Sequence, residues 1–401
     1  MRRARRVLGV AVAAVAATVI AGCGGATVAS SDSGGGGGGA DAPGITADTI
    51  TLGMVTPMTG PFAALGVDGQ AGADALIQTV NAAGGINGRK LALSVQDDQY
   101  DPKQAVAGAR YFATQQPVLG IWGNNGTATT LAGMPTLQAA GVPLLFPMAL
   151  STQLATYDRS FASMLPLSSQ FELLSNYAAG QPELAAGKWG ILYQNDGTSS
   201  EVAEGFKKGK TVLTDNVSFE RSATTYAPQL QKLQADGVSD LVFIGNVNQI
   251  SVALKEADQV GYKPTWYSSL GNTSPDLAKL VGPLAEGVIT VNPYAPPQSD
   301  LPGTNEFRAA MDKYEPGKSQ SMYALNSWVG GKIIVDALQR AGKDLTRDSF
   351  LAALQQTKDL QVGGIMPPIT LTAQDRTAST CIVLAKVTQG VFRAEGDPTC
   401  Q

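Results

Sequence analysis

Histidine is absent from the 401 residues of this chain. Its absence removes the commonest general base near neutral pH, the histidine-activated serine and cysteine nucleophiles, and the commonest zinc ligand. The Gly-x-Ser-x-Gly turn that presents the nucleophilic serine of α/β hydrolases is also missing. Chemistry based on lysine or carboxylates stays open. We nevertheless expect a protein that is not an enzyme, holds no metal and needs no cofactor.

Basic residues are also few, with 29 Lys and Arg against 33 Asp and Glu. Four of the arginines lie within residues 2–6, so the rest of the chain carries 25 basic and 33 acidic residues, a net charge of −8. Nucleic-acid binding depends on clustered lysines and arginines that displace counterions from phosphates. This charge balance argues against a nucleic-acid partner.

The apolar run at the N-terminus is too short to cross a bilayer, which takes about 20 residues. It extends over 14 residues, from Val7 to Ile20, directly after the arginines. A basic start, a short apolar segment and small residues before a cleavage site are typical of a secretory signal; the alternative is a membrane-spanning helix. Ile20-Ala21-Gly22-Cys23 resembles the lipobox of bacterial lipoproteins. The resemblance implies a signal peptide over residues 1–22, a lipid on Cys23 and a location at the outer face of the cell membrane.

Cysteine is scarce, with three residues in the chain. With Cys23 assigned to the lipid, Cys381 and Cys400 remain in an oxidising compartment, where disulfides persist. Thr388-Gln389-Gly390 is typical of a hairpin turn that returns the tail toward Cys381. We predict a disulfide between Cys381 and Cys400.

Beyond the leader, the chain divides into a tether and an α/β region. Residues 23–47 are rich in Gly, Ser and Asp, bury little apolar surface and are predicted to be flexible. From Ile50 onward, short apolar runs alternate with helical periodicity, the pattern of a parallel sheet covered by helices. The chain is longer than one core usually serves, so two lobes are expected. Strands are predicted at 50–55, 91–96, 118–122, 143–146, 189–193, 217–220, 241–245 and 265–268, with helices at 69–82, 103–114, 129–139, 171–179, 200–208, 227–235, 249–260, 303–314, 323–341 and 347–356.

Five stretches in this region carry a more specific pattern. They are Thr59-Gly60-Pro61, Asn81 to Gly88, Asp97-Asp98 with Asp101 to Val106, Gly141 to Leu144, and Ala285 to Val288. Together they resemble the leucine/isoleucine/valine-binding family of type I periplasmic solute-binding proteins, over about residues 48–395. The resemblance implies two doubly wound parallel-sheet lobes joined by three crossovers, and we expect a monomer. Such a clamp closes on a small molecule and delivers it to the permease of an ABC importer.

The implied lobes are discontinuous in sequence. The N-terminal lobe is expected to comprise residues 48–168 plus 294–375, and the C-terminal lobe residues 169–293 plus 376–401. Ligand-sensing receptors use the same kind of clamp, so sensing remains an alternative to import, although the sequence contains no recognisable signalling domain.

Three neighbouring aspartates allow two interpretations. Asp97, Asp98 and Asp101 are compatible with a calcium site. An aspartate directly before Pro102 is also typical of a helix N-cap followed by proline at the first helical position. We favour the cap.

The turn at Asn125 to Ala128 is the leading candidate for the ligand site. Ligands of open parallel sheets bind outside the carboxyl ends of the strands, and this turn follows the predicted strand 118–122. The resemblance implies that amino-acid binders hold the ligand carboxylate here with a hydroxyl and backbone amides. Thr127 keeps that hydroxyl, and a helix N-terminus favours an anion.

Other family positions depart from the pattern of amino-acid binders. Leu150 stands where the family places a hydroxyl beside the ligand's ammonium group, and Leu270 stands where it places the acidic partner. Leu65 and Thr198 fall at positions that are aromatic in the family. Because an ammonium group enclosed without a counter-charge costs several kcal/mol, the chain is predicted to bind a small, largely apolar molecule that bears a carboxylate.

Two alternatives stay open for this cleft, which is expected to include Ala149 and Asn246. Each leucine is equally compatible with ordinary core packing. A small shift in alignment would allow Asn246, Asn248 or Asn272 to hold the ammonium group of a branched-chain amino acid.

Overall fold

The computed structural model describes residues 42–196 and 199–401, so Cys23, most of the tether and Thr198 lie outside the described residues. Within the described ranges, no helix combines the length and apolar character needed to span a membrane. The strands are β1 (Thr49–Thr56), β2 (Lys90–Asp97), β3 (Ile121–Trp122), β4 (Leu144–Leu145), β5 (Ser160–Met164), β6 (Trp189–Gln194), β7 (Leu213–Phe219), β8 (Asp240–Ile244), β9 (Thr265–Ser269), β10 (Ile289–Asn292), β11 (Thr377–Ser379), β12 (Cys381–Thr388) and β13 (Val391–Cys400). The helices are α1 (Ala63–Ala82), α2 (Pro102–Thr114), α3 (Thr127–Ala139), α4 (Leu167–Gly180), α5 (Pro182–Ala185), α6 (Glu201–Lys208), α7 (Ala227–Ala235), α8 (Val247–Gln259), α9 (Pro275–Val281), α10 (Pro302–Tyr314), α11 (Met322–Ala341) and α12 (Arg347–Leu354).

The strands form two sheets, each at the centre of one lobe. The first sheet has six strands in the order β11-β5-β4-β3-β1-β2, and its pairings are parallel. The second has seven strands in the order β13-β12-β10-β9-β8-β6-β7, and is parallel except that β12 runs antiparallel to both β10 and β13. The predicted fold class, two doubly wound α/β lobes, is confirmed.

The chain passes between the two sheets at three crossovers. The first is at Leu165-Pro166, between β5 of the first sheet and α4, whose apolar face packs in the core of the second lobe. The second follows β10 at Pro293, and the next residue, Tyr294, is buried in the core of the first lobe. The third lies at Thr380, between β11 and β12.

The position of the third crossover corrects the predicted lobe boundary at residue 375. The carbonyl oxygen of Arg376 accepts a hydrogen bond of 2.8 Å from the amide of Ala162, and Arg376 Nε donates to the carbonyl oxygen of Ser160 over 3.1 Å. These bonds hold β11 against β5 at the edge of the first sheet. The first lobe therefore continues to Ser379.

The first helix begins earlier than predicted, at Ala63 instead of Gly69. Gly66 and Gly69 weaken its helical pattern because glycine has a low helix propensity. In the structure, a Cβ on Gly66 would lie 2.1 Å from the carbonyl oxygen of Pro57, and one on Gly69 would lie 2.3 Å from Asn125 Nδ2. These glycines allow α1 to start directly against the loops at the carboxyl ends of β1 and β3.

Of the aspartates before α2, Asp101 caps the helix and Asp97 holds the loop after β1. One carboxylate oxygen of Asp101 accepts hydrogen bonds from the amides of Lys103 at 2.7 Å and Gln104 at 3.4 Å. Asp97 accepts from the amide of Met58 at 2.8 Å. Across residues 42–196 and 199–401, no cluster of His, Cys, Asp and Glu side chains is arranged to hold a metal ion. The geometry supports the interpretation as a helix cap.

The chain ends in a hairpin on the second sheet. Gln389 and Gly390 have φ of 55° and 73°, the left-handed conformations that a two-residue turn between β12 and β13 requires. Cys381 lies opposite Cys400 across this ladder, and a disulfide joins them.

Candidate functional site

The first turn of α3 lies at the carboxyl end of β3, where the first backbone amides of the helix precede its own ladder of hydrogen bonds. Gly126 is the N-cap residue, and its φ of 116° is one that L side chains rarely adopt. Glycine has no side chain with which to cap the first amides of the helix. Since a helix N-terminus carries a partial positive charge, these amides favour an anion.

The Thr127 hydroxyl stands at this turn in a defined orientation. Its oxygen accepts a hydrogen bond of 3.1 Å from the amide of Leu150, in the loop that follows β4. Thr127 is half-buried, whereas Ala128 is exposed. The structure therefore brings together Thr127, Ala128 and Leu150.

Two aromatic residues that the sequence did not identify border the same turn. The ring of Tyr100 stacks on that of Phe62 with centroids 4.4 Å apart. A Cβ on Gly126 would lie 2.6 Å from Tyr100 Cε2, so the Tyr100 ring lies directly against the start of α3. The only indication in the sequence is that both residues follow strands of a parallel sheet, in a loop or at a helix start.

Asp98 fixes the backbone of Tyr100. Tyr100 has a φ of 59°, uncommon for a non-glycine residue, and its amide donates to Asp98 Oδ1 over 2.8 Å. Asp98 is almost completely buried, and burial raises its pKa to about 6. The neighbouring carboxylates of Asp97 and Asp101 act in the same direction. Backbone strain held by a buried acid is a feature that concentrates at functional sites.

Leu150 and Leu270 lie where the lobes meet. Leu150 is half-buried and packs against the cores of both lobes. Leu270 directly follows β9 of the second sheet, yet it is buried with 3% of its surface exposed and belongs to the apolar core of the first lobe. Leu65 is half-buried in the first turn of α1. These placements leave Leu150 and Leu270 as an apolar junction between the lobes.

The remaining predicted residues have structural contacts. Asn125 is fully buried, and its Nδ2 donates to Thr56 Oγ1 at 3.3 Å and to the carbonyl oxygen of Gly123 at 3.0 Å. Ala149 is buried in the first lobe, among residues of β4, α2 and α3. Asn246 is exposed, and its Oδ1 caps α8 through the amides of Asn248 at 3.0 Å and Gln249 at 3.1 Å. The sequence predicted Asn246 near the ligand, but its side-chain oxygen already accepts the hydrogen bonds of the helix cap.

Two further residues missed by the sequence analysis span the lobes. Arg221, in the loop between β7 and α7, has its guanidinium carbon 4.7 Å from the centroid of the Phe62 ring in the first lobe. Tyr323, in the first turn of α11, has its hydroxyl oxygen 3.5 Å from where a Cβ on Gly271 would lie. Burial strongly raises the pKa of Tyr323, so its hydroxyl stays protonated and able to donate a hydrogen bond. The two lobes therefore contact each other at these two points.

Comparison with known proteins places the chain in a family. The model of the periplasmic binding protein family matches residues 49–391. A Leu/Ile/Val-binding protein homolog 7 from Brucella abortus is 26% identical over 314 residues, which cover 73% of this chain and 77% of the relative. A Leu/Ile/Val-binding protein homolog 1 from Brucella suis is 25% identical over 302 residues, covering 74% and 79%.

Solved structures share the fold. A fatty acid ABC transporter substrate-binding protein from Thermomonospora curvata matches with a TM-score of 0.79 and 22% identity, covering 90% of this chain and 95% of its own. A branched-chain amino acid transporter substrate-binding protein from Streptococcus pneumoniae, in complex with isoleucine, matches with a TM-score of 0.74 and 20% identity, covering 88% and 100%.

The chain belongs to the periplasmic binding protein family, as its motifs predicted. It is an extracytoplasmic solute-binding protein.

Proposed function

We propose that this protein captures a small, largely apolar carboxylate between its lobes and delivers it to an ABC permease. The carboxylate would lie at the first turn of α3, where it accepts hydrogen bonds from backbone amides and from the Thr127 hydroxyl. The apolar remainder would pack against Leu150 and Leu270. Binding and closure, without chemical conversion, are the whole mechanism.

The observation that carries the proposal is the burial of Leu270 against the opposite lobe. Leu270 has 3% of its surface exposed at this junction, and its aliphatic side chain offers an ammonium group neither a charge nor a hydrogen bond. A buried charge without a partner costs several kcal/mol, and each 1.4 kcal/mol or so is a tenfold loss of affinity. Leu270 and Leu150 therefore favour ligands without an amino group. The relative from Thermomonospora curvata, named for fatty acids, offers a precedent on the same fold.

Branched-chain amino acids are the second candidate. The named Brucella relatives and the isoleucine complex from Streptococcus pneumoniae favour them. Within the described residues, the Oδ1 atom of fully buried Asn272 has no hydrogen-bond partner, and an ammonium group is a donor that would suit it. Asn272 lies two residues beyond Leu270, so both candidates concern the same junction.

Isothermal titration calorimetry separates the two candidates. Hexanoate, octanoate and phenylacetate represent apolar carboxylates, and leucine, isoleucine and valine represent the amino acids. We expect at least one apolar carboxylate to bind more tightly than all three amino acids. Micromolar leucine binding with no heat from the carboxylates would refute the carboxylate proposal and support the second candidate.

We also propose that a lipid on Cys23 anchors the protein at the outer face of the cell membrane. Support comes from the Ile-Ala-Gly-Cys sequence at residues 20–23 and from membership of an extracytoplasmic family. Cys23→Ser should release the protein from the membrane fraction without changing ligand affinity. Intact-mass analysis that finds no lipid on the wild-type protein would contradict the anchor.

A further inference from the structure

One contact between the lobes is made by two residues, Arg221 and Phe62, that are not among the predicted ligand-binding residues. The guanidinium carbon of Arg221 lies 4.7 Å from the centroid of the Phe62 ring, within the range of a cation–π interaction. Arg221 belongs to the second lobe, between β7 and α7, whereas Phe62 is the N-cap residue of α1 in the first lobe. Separation of the lobes therefore breaks this contact.

The first-lobe half of the contact is preorganised. Phe62 stacks on Tyr100 with an angle of 28° between the rings. The left-handed backbone of Tyr100 is fixed by the hydrogen bond from its amide to Asp98. Asp98 is buried, so Tyr100 and Phe62 present a supported aromatic surface rather than two independent side chains.

The second-lobe half is held by side chains at the carboxyl ends of its strands. Gln249 Nε2 donates to Gln194 Oε1 over 3.1 Å and to the carbonyl oxygen of Arg221 over 3.5 Å. Gln249 is also part of the capping box of α8, which fixes its position. Burial raises the pKa of the Tyr100 hydroxyl, and the charge of Arg221 opposes that rise, so the guanidinium also acts on the second ring of the stack.

We propose that Arg221 and the Phe62–Tyr100 stack form an interlobe clasp that stabilises the closed cleft. The clasp lies beside the α3 turn, because Tyr100 contacts Gly126. It requires no particular ligand chemistry, so it adds a closing force that is independent of the ligand proposed above. It also gives the second lobe a way to hold the α3 turn covered while the ligand is bound.

Pulsed electron paramagnetic resonance on the full chain tests the clasp without a ligand. Nitroxides on Ala107→Cys in α2 and Gln231→Cys in α7 occupy exposed positions in the two lobes. A Cys23→Ser background keeps the labels on those two thiols. We expect the ligand-free protein to contain a closed population, and Arg221→Gln and Phe62→Leu each to reduce its ratio to the open form about two- to fivefold.

Two controls accompany these variants. Arg393→Gln in β13 removes the same charge from an exposed position on another part of the second lobe, and should leave the closed population unchanged. Arg221→Lys keeps the charge but loses the planar group that lies over the ring, and should fall between wild type and Arg221→Gln. Equal unfolding midpoints of all variants show that the lobes themselves are intact.

The clasp is overturned if the ligand-free protein shows no closed population, or if Arg221→Gln and Phe62→Leu leave that population unchanged. Neither outcome bears on the ligand. A protein with a working clasp could still fail to bind carboxylates, and carboxylate binding could persist in a protein whose clasp has no effect.

Discussion

The amide of Leu150 donates a hydrogen bond of 3.1 Å to the hydroxyl oxygen of Thr127. This bond connects the loop after β4 to the first turn of α3. It occupies one lone pair of the hydroxyl oxygen and leaves the hydroxyl proton for another acceptor. Because hydrogen bonds to charged acceptors are stronger than those to neutral ones, a carboxylate at the α3 turn is the acceptor that gains most from this arrangement.

Thr127→Val should weaken the binding of apolar carboxylates by about 1 to 3 kcal/mol, the usual penalty for a lost hydrogen bond to a charged group. Valine keeps the shape and removes the hydroxyl. Thr127→Ser is the matched control, and it should bind within about threefold of wild type. Calorimetry that finds the same affinity for valine and serine at this position would exclude the hydroxyl from the site.

Leu270→Ala should reduce ligand affinity more than it reduces the stability of the protein. Leu270 is buried by the opposite lobe, so the hole left by alanine lies mainly between the lobes. We expect a loss of about 2 kcal/mol in carboxylate binding. Leu254→Ala, in the core of the second lobe, is the control, and it should lower the free energy of unfolding and leave affinity unchanged. If Leu270→Ala lowers the free energy of unfolding more than it weakens ligand binding, Leu270 belongs to ordinary core packing.

Asp98 should make stability depend on pH. Burial raises its pKa from 3.8 to about 6, so the folded protein holds this proton more tightly than the unfolded chain does. The free energy of unfolding contributed by Asp98 is fully present below about pH 4 and is lost as the pH rises through about 6. Asp98→Asn keeps an acceptor for the Tyr100 amide and should raise the free energy of unfolding at pH 7 by about 1 to 2 kcal/mol.

Urea denaturation between pH 4 and about pH 7.5 measures this effect. The contribution of Asp98 makes the free energy of unfolding fall between about pH 4 and about pH 6. The slope of this free energy against pH should therefore be less negative in Asp98→Asn than in wild type. Asp397→Asn, at an exposed position in β13, should reproduce the wild-type slope. Identical slopes for all three proteins would show that Asp98 does not titrate in this range.

The C-terminal disulfide should stabilise the protein without affecting the cleft. It closes a loop with a sequence separation of 19, for which chain entropy gives about 3 kcal/mol. The double variant Cys381→Ala with Cys400→Ala should lose about that much free energy of unfolding and bind ligand within about twofold of wild type. Two free thiols in the oxidised, denatured wild-type protein would show that the bond does not form.

Periodicity and caps were sufficient to predict most of the fold. Asp101 before Pro102 predicted the start of α2 correctly because a cap depends on neighbours in sequence. The strands β5 and β10 were not predicted: Ser160–Met164 and Ile289–Asn292 are short, and their pairing depends on partners distant in the chain. The early start of α1 was missed for the same reason, since its glycines are required by contacts with loops far along the sequence.

The candidate site could be predicted only where the family resemblance and local chemistry agree. Thr127 was identified because it keeps the hydroxyl that the resemblance implies and stands at a helix start. Asn246 was assigned to the ligand although Asn246 and Gln249 have the spacing of a capping box, which the structure contains. Phe62 and Tyr100 were missed because they stack between two loops of the first lobe that are distant in sequence. Arg221 was missed because its contact depends on how the two lobes come together, and no pattern in a single segment encodes that relation.

The last residues of the chain are fastened beside the third crossover. The amide of Gln401 donates to the carbonyl oxygen of Thr380 over 3.2 Å, and Cys400 is bonded to Cys381, the residue that follows the crossover. When two lobes rotate about the crossovers that join them, a point beside a crossover moves little. A fluorophore attached to the C-terminus would therefore be nearly insensitive to closure. A biosensor built on this protein would need its dyes on the outer helices, and the C-terminus would serve best as the point of attachment to a surface.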